Sequence, residues 1–406
     1  MKILCVFGQH NYGSPERGEG YEYSNFLPAL RRLGHEVVFF ESFDRSCYVD
    51  FADLNLRLLE TVQREAPDAI LFVLMSYEIW LETLTTLRES SGAVLISWAT
   101  DDSWKYEQFS RYVARPFDVY ATTYPEALRK SQRNGHSNFV LTQWAADAQQ
   151  LMEPLPAADC RYEVSFVGSA YGNRRELVQQ LAQRGIAVNC FGHGWPNGPV
   201  DTARMRGIIR ESVISLNFGD SGLLIQGARL GRNRQIKARN FEVPGCGGFL
   251  LTETLESLGD FFVPGREVVV YEGVDDLANK IRHYLDHPAE RDAIAFAGHR
   301  RTASAHTYDA RFRELLEDAA RLTARRPSRA PRIDFARFSD HVRRHRANRW
   351  LMPLKWALLV PCWMIWGRQR GPRAARRFLF ELSWRVAGAH TYTCAGYPGR
   401  LFYKES

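Results

Sequence analysis

Paired cysteines, a long unbroken apolar stretch and an internal repeat are all missing from this 406-residue sequence. Its seven cysteines (Cys5, Cys47, Cys160, Cys190, Cys246, Cys362 and Cys394) stand far apart with no CxxC spacing. That scatter argues against a zinc site or a disulfide framework and for a reducing cytosol. The amino-terminal residues offer one lysine and an apolar run that already ends at Gly8, too short for a secretory signal. The longest apolar stretch, WLMPLKWALLVPCWMIW at 350–366, falls short of the about 20 residues a spanning helix needs, and Pro353, Lys355 and Pro361 interrupt it. No period in the range of solenoids or propellers is visible, and low complexity is confined to the spacer RRPSRAPR at 325–332.

What is present is a globular composition, 45% hydrophobic and 24% charged, with enough length for two core-forming domains and a tail. The net charge of +7 conceals an asymmetry: residues 321–406 hold 19 Lys or Arg against 4 Asp or Glu, a charge of +15, which leaves −8 for residues 1–320. An acidic body carries a basic tail, so an anionic partner is expected for the tail alone.

Read in order, the chain alternates strand and helix. KILCVFG (2–8) is a continuous apolar run of the kind buried on both faces of a parallel sheet, and a polar Gly-rich loop leads from it to a helix at 21–33 and a second strand, HEVVFFE. The pattern repeats through 144. A second series starts after a linker at 151–162, with strands at 163–169, 187–192, 213–219, 247–252 and 267–273 and a long helix expected over 288–318. The fold class expected is α/β, with two Rossmann-like doubly wound domains (1–150 and 151–320) facing across a cleft, followed by a basic, aromatic-rich helical tail (321–406). The tail run holds four Trp and is flanked by Arg343, Arg344, Arg346 and Arg349 before it and Arg368, Arg370, Arg373, Arg376 and Arg377 after it. Trp at headgroup depth with Arg on anionic lipid suits a helix lying in a membrane interface over 343–377; the competing reading packs the tail back on the amino-terminal domain. Nucleic acid is disfavoured, because aromatics and arginines are segregated rather than interleaved.

The stretch QIKARNFEVPGCGGFLLTE (235–253) reads as helix, bend and buried strand. Gly247 and Gly248 let backbone approach a ligand closely, and Glu242 stands where a carboxylate could accept both hydroxyls of a ribose; the alternative is a Gly-rich turn with one solvated Glu. The segment resembles the donor-binding signature of glycosyltransferases of the GT-B fold, close to the "glycosyl transferases group 1" domain and to the branch that includes spore maturation protein B. FVGSAYGNRRELVQQL (166–181), FGHGW (191–195), SLNFGD (215–220) and GHRRTASAHTYDAR follow the same pattern, so the likeness covers 160–318 well and 1–150 loosely.

The resemblance implies transfer of a sugar from a nucleotide diphosphate, UDP among the candidates, to a glycan, lipid-linked or protein acceptor; the cysteine scatter and the basic tail add the expectation of a cytoplasmic enzyme resting on the inner membrane face. Its rivals are a nucleotide-sugar epimerase of the same architecture and a non-catalytic nucleotide-binding scaffold. Ligands of open parallel sheets bind outside the carboxyl ends of the strands. On that rule Ser169, Arg174, His193, Asn217, Lys237, Arg239, Glu242, Gly247 and Gly248 are expected on the donor side. Asp102, Asp101 and His10 are the candidate bases on the other side, each with a plain alternative as a cap or loop residue. No DxD motif stands in a convincing place, and Lys237, Arg239 and Arg174 could neutralise the leaving diphosphate, so neither metal nor cofactor is expected. Of the E-x7-E pattern seen in retaining relatives, Glu242 matches the second acid while Arg234 occupies the place of the first, which leaves the stereochemistry open.

Overall fold

The computed structural model describes residues 1–226, 229–323 and 330–405, with 220–226 and 229–233 described by their backbone. The side chains of Arg229 and Arg232 and most of the 325–332 spacer therefore lie outside the described set. The chain divides into two units, Met1–Thr142 with Arg313–Ser406, and Gln143–Phe312.

The first unit is built on a six-stranded parallel sheet of order β2-β1-β3-β4-β5-β6. Its strands are β1 (Lys2–Phe7), β2 (Glu36–Glu41), β3 (Ala69–Phe72), β4 (Val94–Ala99), β5 (Val119–Thr122) and β6 (Phe139–Leu141). The connections run through α1 (Tyr21–Arg32), α2 (Phe51–Glu65), α3 (Leu81–Ser90), α4 (Asp102–Lys105), α5 (Arg111–Val113) and α6 (Pro125–Arg133). The central strands are almost wholly buried, as their unbroken apolar runs require when helices cover both faces. Asn55, fully buried in α2, is saturated: its amide donates to Phe51 O and Glu78 O, and its Oδ1 accepts from Trp80 N–H and Thr83 Oγ1. Those four bonds lock α2 to the start of α3, and a buried amide tolerates nothing less.

The carboxyl-terminal segment belongs to this unit through α13 (Phe335–Arg346), α14 (Met352–Ala387) and α15 (Tyr397–Leu401). Ile333, Phe338, Tyr392 and Cys394 join its core, Gln63 holds the backbone of Pro331 and Ile333, and the Tyr403 hydroxyl donates to Arg45 O and Tyr48 O. Within α14 the backbone breaks at Gly367, where φ is 73°. Residues on either side then meet: a Cβ added to Gly371 would lie 2.6 Å from Trp363, and Leu359 packs in one cluster with Ala375 and Leu379. Among the described residues no helix is long and apolar enough to cross a membrane.

The second unit has a five-stranded parallel sheet of order β13-β12-β9-β7-β8. It contains β7 (Tyr162–Val167), α7 (Arg174–Gln183), β8 (Asn189–Phe191), α8 (Thr202–Arg210), β9 (Ser212–Asn217), the antiparallel pair β10 (Asp220–Gln226) and β11 (Arg229–Arg234), α9 (Arg239–Gly245), β12 (Leu250–Glu253), β13 (Val269–Tyr271), α10 (Gly273–Asp286) and α11 (Pro288–Ala305), and it leads into α12 (Tyr308–Thr323). The sequence reading missed the β10–β11 hairpin. It also joined α11 and α12 into one helix. The break falls at His306 and Thr307, because Ala146 takes both backbone groups there: Ala146 N–H donates to His306 O and Tyr308 N–H donates to Ala146 O, each at 3.0 Å. Arg291, wholly buried in α11, donates to Val213 O, Leu155 O and Ser212 O at 2.7–2.9 Å and pairs with Asp292.

Candidate functional site

Each sheet has a carboxyl edge where loops leave the strands, and the two edges differ in character. In the second unit the loops after β7 and β8 lean on each other: Gly168 N–H donates to Phe191 O, and Ala170 N–H donates to His193 O, both at 2.8 Å. Gly192 sits at φ 128°, and a Cβ there would lie 2.4 Å from Gly168 O, so only glycine allows the contact. Trp195 closes the pair by donating its indole N–H to Gly168 O.

Over this base lies a cationic and aromatic group. The Arg174 guanidinium is 3.9 Å from the centre of the Tyr171 ring, donates to Ser169 O at 2.8 Å and bonds the Tyr171 hydroxyl at 3.0 Å. Lys237 Nζ donates to the same hydroxyl at 2.7 Å. Buried Arg174 and half-buried Lys237 thus converge on one exposed tyrosine, with Ser169 and His193 exposed beside them. Fixed cations at the edge of a parallel sheet suit an anionic ligand. Glu242 lies within α9, paired at 3.2 Å with Arg239, its side chain 16% exposed. Arg239 also approaches Met205 of α8, so the acid stands between two helices and not in bulk solvent.

Three assignments change in the structure. Gly247 and Gly248 precede β12 and therefore stand at the amino edge, opposite to where ligands bind. A Cβ on Gly247, whose φ is 77°, would lie 2.7 Å from Met152 O, and one on Gly248 would strike Ile209, so these glycines serve chain packing and not a phosphate cradle. Asn217 is buried: its amide donates to Asn240 Oδ1 and Thr252 Oγ1, tying β9, α9 and β12 together beneath the edge. Glu253, which the sequence reading passed over, ends β12 at the carboxyl edge, accepts from Gly219 N–H and pairs with Arg234 at 3.0 Å. Its position as the last residue of the strand was the available signal.

In the first unit Asp102 is also reassigned. It is 2% exposed and accepts from Ser110 Oγ, which in turn accepts from the Tyr120 hydroxyl. Burial raises its carboxyl above the ordinary range, an effect the Ser110 bond opposes. It is an interior member of a hydroxyl chain, not a solvent-facing base. Asp101 is 42% exposed and lies 4.0 Å from Lys105. Glu22, half-buried at the start of α1, is the acid the sequence reading missed. Burial raises its pKa, with the Asp101 charge adding to this and Lys105 opposing it. Glu22 and Asp101 lie on segments that follow β1 and β4, two strands apart in the sheet order, and the Asp101 charge reaches Glu22. His10 pairs by backbone with Glu19 and shapes the loop after β1, which Asn11 fastens by donating to Glu19 O and Arg17 O.

A parallel α/β unit with cations at its carboxyl edge, following another of the same kind, is the architecture of the GT-B fold. Residues 174–317 match the glycosyl transferase-like family model, which covers α7 to α12 and contains Lys237, Arg239 and Glu242. Fold and family match agree: the fold is GT-B, and residues 174–317 are similar to the glycosyl transferase-like family. Among curated proteins it is similar to spore protein CgeB of Bacillus subtilis (strain 168), 21% identical over 244 residues, 56% of this chain and 75% of that protein. Among solved structures, sucrose-phosphate synthase from Thermosynechococcus elongatus superposes with a TM-score of 0.58 at 10% identity, covering 80% of this chain and all of that one. HepE from Anabaena, in complex with UDP and glucose, superposes with a TM-score of 0.53 at 12% identity over 79% of this chain and all of that one. At these identities the structural likeness speaks for the fold.

Proposed function

We propose that this protein is a glycosyltransferase that takes its sugar from a nucleotide diphosphate, without help from a metal ion, and delivers it to a glycan, lipid-linked or protein acceptor. The observation that carries this reading is the convergence of Arg174 and Lys237 on Tyr171 at the carboxyl edge of the matched domain. Two fixed cations there can hold a diphosphate and stabilise the charge that develops as the glycosidic bond to it breaks. Glu242, paired with Arg239, is the acceptor for nucleoside hydroxyls. The UDP and glucose bound by HepE make UDP-sugars the first donors to try. On the acceptor side Asp101 or Glu22 removes the hydroxyl proton. The raised pKa of Glu22 brings it nearer to neutral pH, where general bases work best. A thermal-shift screen of the whole chain against UDP-, GDP- and dTDP-sugars tests the donor assignment. One class should raise the melting temperature, and Glu242→Ala should weaken that donor about tenfold or more. A screen with no hit, or unchanged affinity in the Glu242→Ala protein, refutes it.

The reading also assigns the protein to the cytoplasm, resting on an anionic membrane face through α14. Met364, Ile365 and Trp366, exposed by 77%, 68% and 52%, precede the break at Gly367, and Arg368, Arg370 and Arg373 follow it. Apolar side chains at headgroup depth with arginines on phosphate would hold such an element without spanning. Flotation with phosphatidylglycerol vesicles should recover the protein, and Ile365→Glu with Trp366→Glu should release it. Equal recovery of both proteins would overturn the assignment.

A further inference from the structure

The first unit brings together three side chains that no sequence spacing connects. Glu82 comes from α3, His341 from α13 and Cys394 from the turn before α15. One ligand atom of each lies within 4.8 Å of the other two. The Cys394 Sγ to His341 Nδ1 distance is 3.7 Å. A tetrahedral zinc ion with its usual bond lengths to sulfur and nitrogen sets those two atoms about 3.6 Å apart. The cluster is rigidly placed. Glu82 Oε2 accepts the Cys394 backbone N–H at 3.0 Å, leaving its second oxygen for another partner, and Cys394 O is bonded to the His345 ring at 3.0 Å. The His341 ring packs edge-on against Phe338. Beside the three residues is a cavity of about 330 Å³, walled also by Asp334, Arg337 and Phe338. It leaves room for a water in a fourth position.

We propose that Glu82, His341 and Cys394 are the protein ligands of a zinc ion that fastens the carboxyl-terminal segment to the first unit. The donor set suits zinc, which accepts sulfur, imidazole nitrogen and carboxylate oxygen together. On binding, the Cys394 thiol gives its proton to solvent, and thiolate plus carboxylate cancel the ion's two charges, so the half-buried group is neutral. The ion takes no part in sugar transfer: it lies among α3, α13 and the turn before α15, and its role is structural.

The test uses the whole chain, freed of any histidine tag, and does not depend on activity. Elemental analysis of the purified protein should find about one zinc per chain. Cys394→Ser and His341→Ala should each reduce this to background. After chelation, zinc alone should restore a melting temperature lost by several degrees. Because a substituted chain could fail to fold, cobalt is added to the wild-type chain as well: a thiolate-to-cobalt charge-transfer band in the near ultraviolet requires a sulfur ligand. Wild-type protein that holds no zinc and gains no stability from it, substituted chains that retain the wild-type zinc content, or bound cobalt without that band would each overturn the proposal.

Discussion

Protonating His306 should loosen the second unit, and its surroundings set the size of the effect. The ring lies at the break between α11 and α12, 5% exposed, with Phe241, Phe261 and Phe262 edge-on around it. Its Nε2–H donates to Phe261 O at 2.7 Å, and its Nδ1 accepts from the Arg311 guanidinium at 3.0 Å. Both nitrogens are thus matched in the neutral form, and a proton on Nδ1 would set two donors against each other. Burial lowers the pKa to about 4, the Phe261 bond opposes this and the Arg311 charge adds to it. The unfolded chain takes up this proton near 6.5, so between pH 6.5 and about 4 it binds more protons than the folded one. The stabilisation is therefore complete above pH 6.5 and lost as pH falls through about 4; at about 1.4 kcal/mol per pH unit it amounts to about 3 kcal/mol. His306→Gln supplies a donor and an acceptor but does not titrate. Urea unfolding of both chains at about pH 7 and about pH 4.5 isolates the effect, since carboxylates titrate alike in each. Over that interval the stability lost by the wild type should exceed the stability lost by His306→Gln by about 2 kcal/mol or more, and parallel pH curves would refute the reasoning.

Gly247→Ala should cost about 1–3 kcal/mol, because its φ of 77° and the approach to Met152 O both forbid a side chain, and it should leave donor affinity within about twofold. Arg291→Leu strands three buried carbonyls and Asp292, and urea titration should show a loss of about 3–5 kcal/mol. Asp102→Asn should change the melting temperature more than kcat. Glu22→Gln or Asp101→Asn should lower kcat about 100-fold or more with the fold intact, the reverse pattern being a refutation.

Periodicity carried most of the fold. Runs such as KILCVF and AILF are apolar without interruption because helices cover both faces of their sheets, and that requirement is written locally. The break at His306 was not local: it depends on Ala146, a residue more than 150 positions earlier, competing for two backbone groups. The candidate site divides in the same way. Arg174, Lys237 and Glu242 were visible from the motifs around them. Which edge a glycine pair occupies, however, follows from whether it enters or leaves a strand, and that assigned Gly247 and Gly248 to packing.

By itself the amino-acid order determined two α/β units, a basic aromatic tail and the family to which residues 174–317 are related, because hydrophobic period, charge and short motifs act between near neighbours. Only the tertiary structure decided that Asp102 and Asn217 face inward, that the Asp101 charge reaches Glu22, and that Glu82, His341 and Cys394 meet. Contacts across tens or hundreds of residues are set by strand order and helix packing, and no local pattern encodes them.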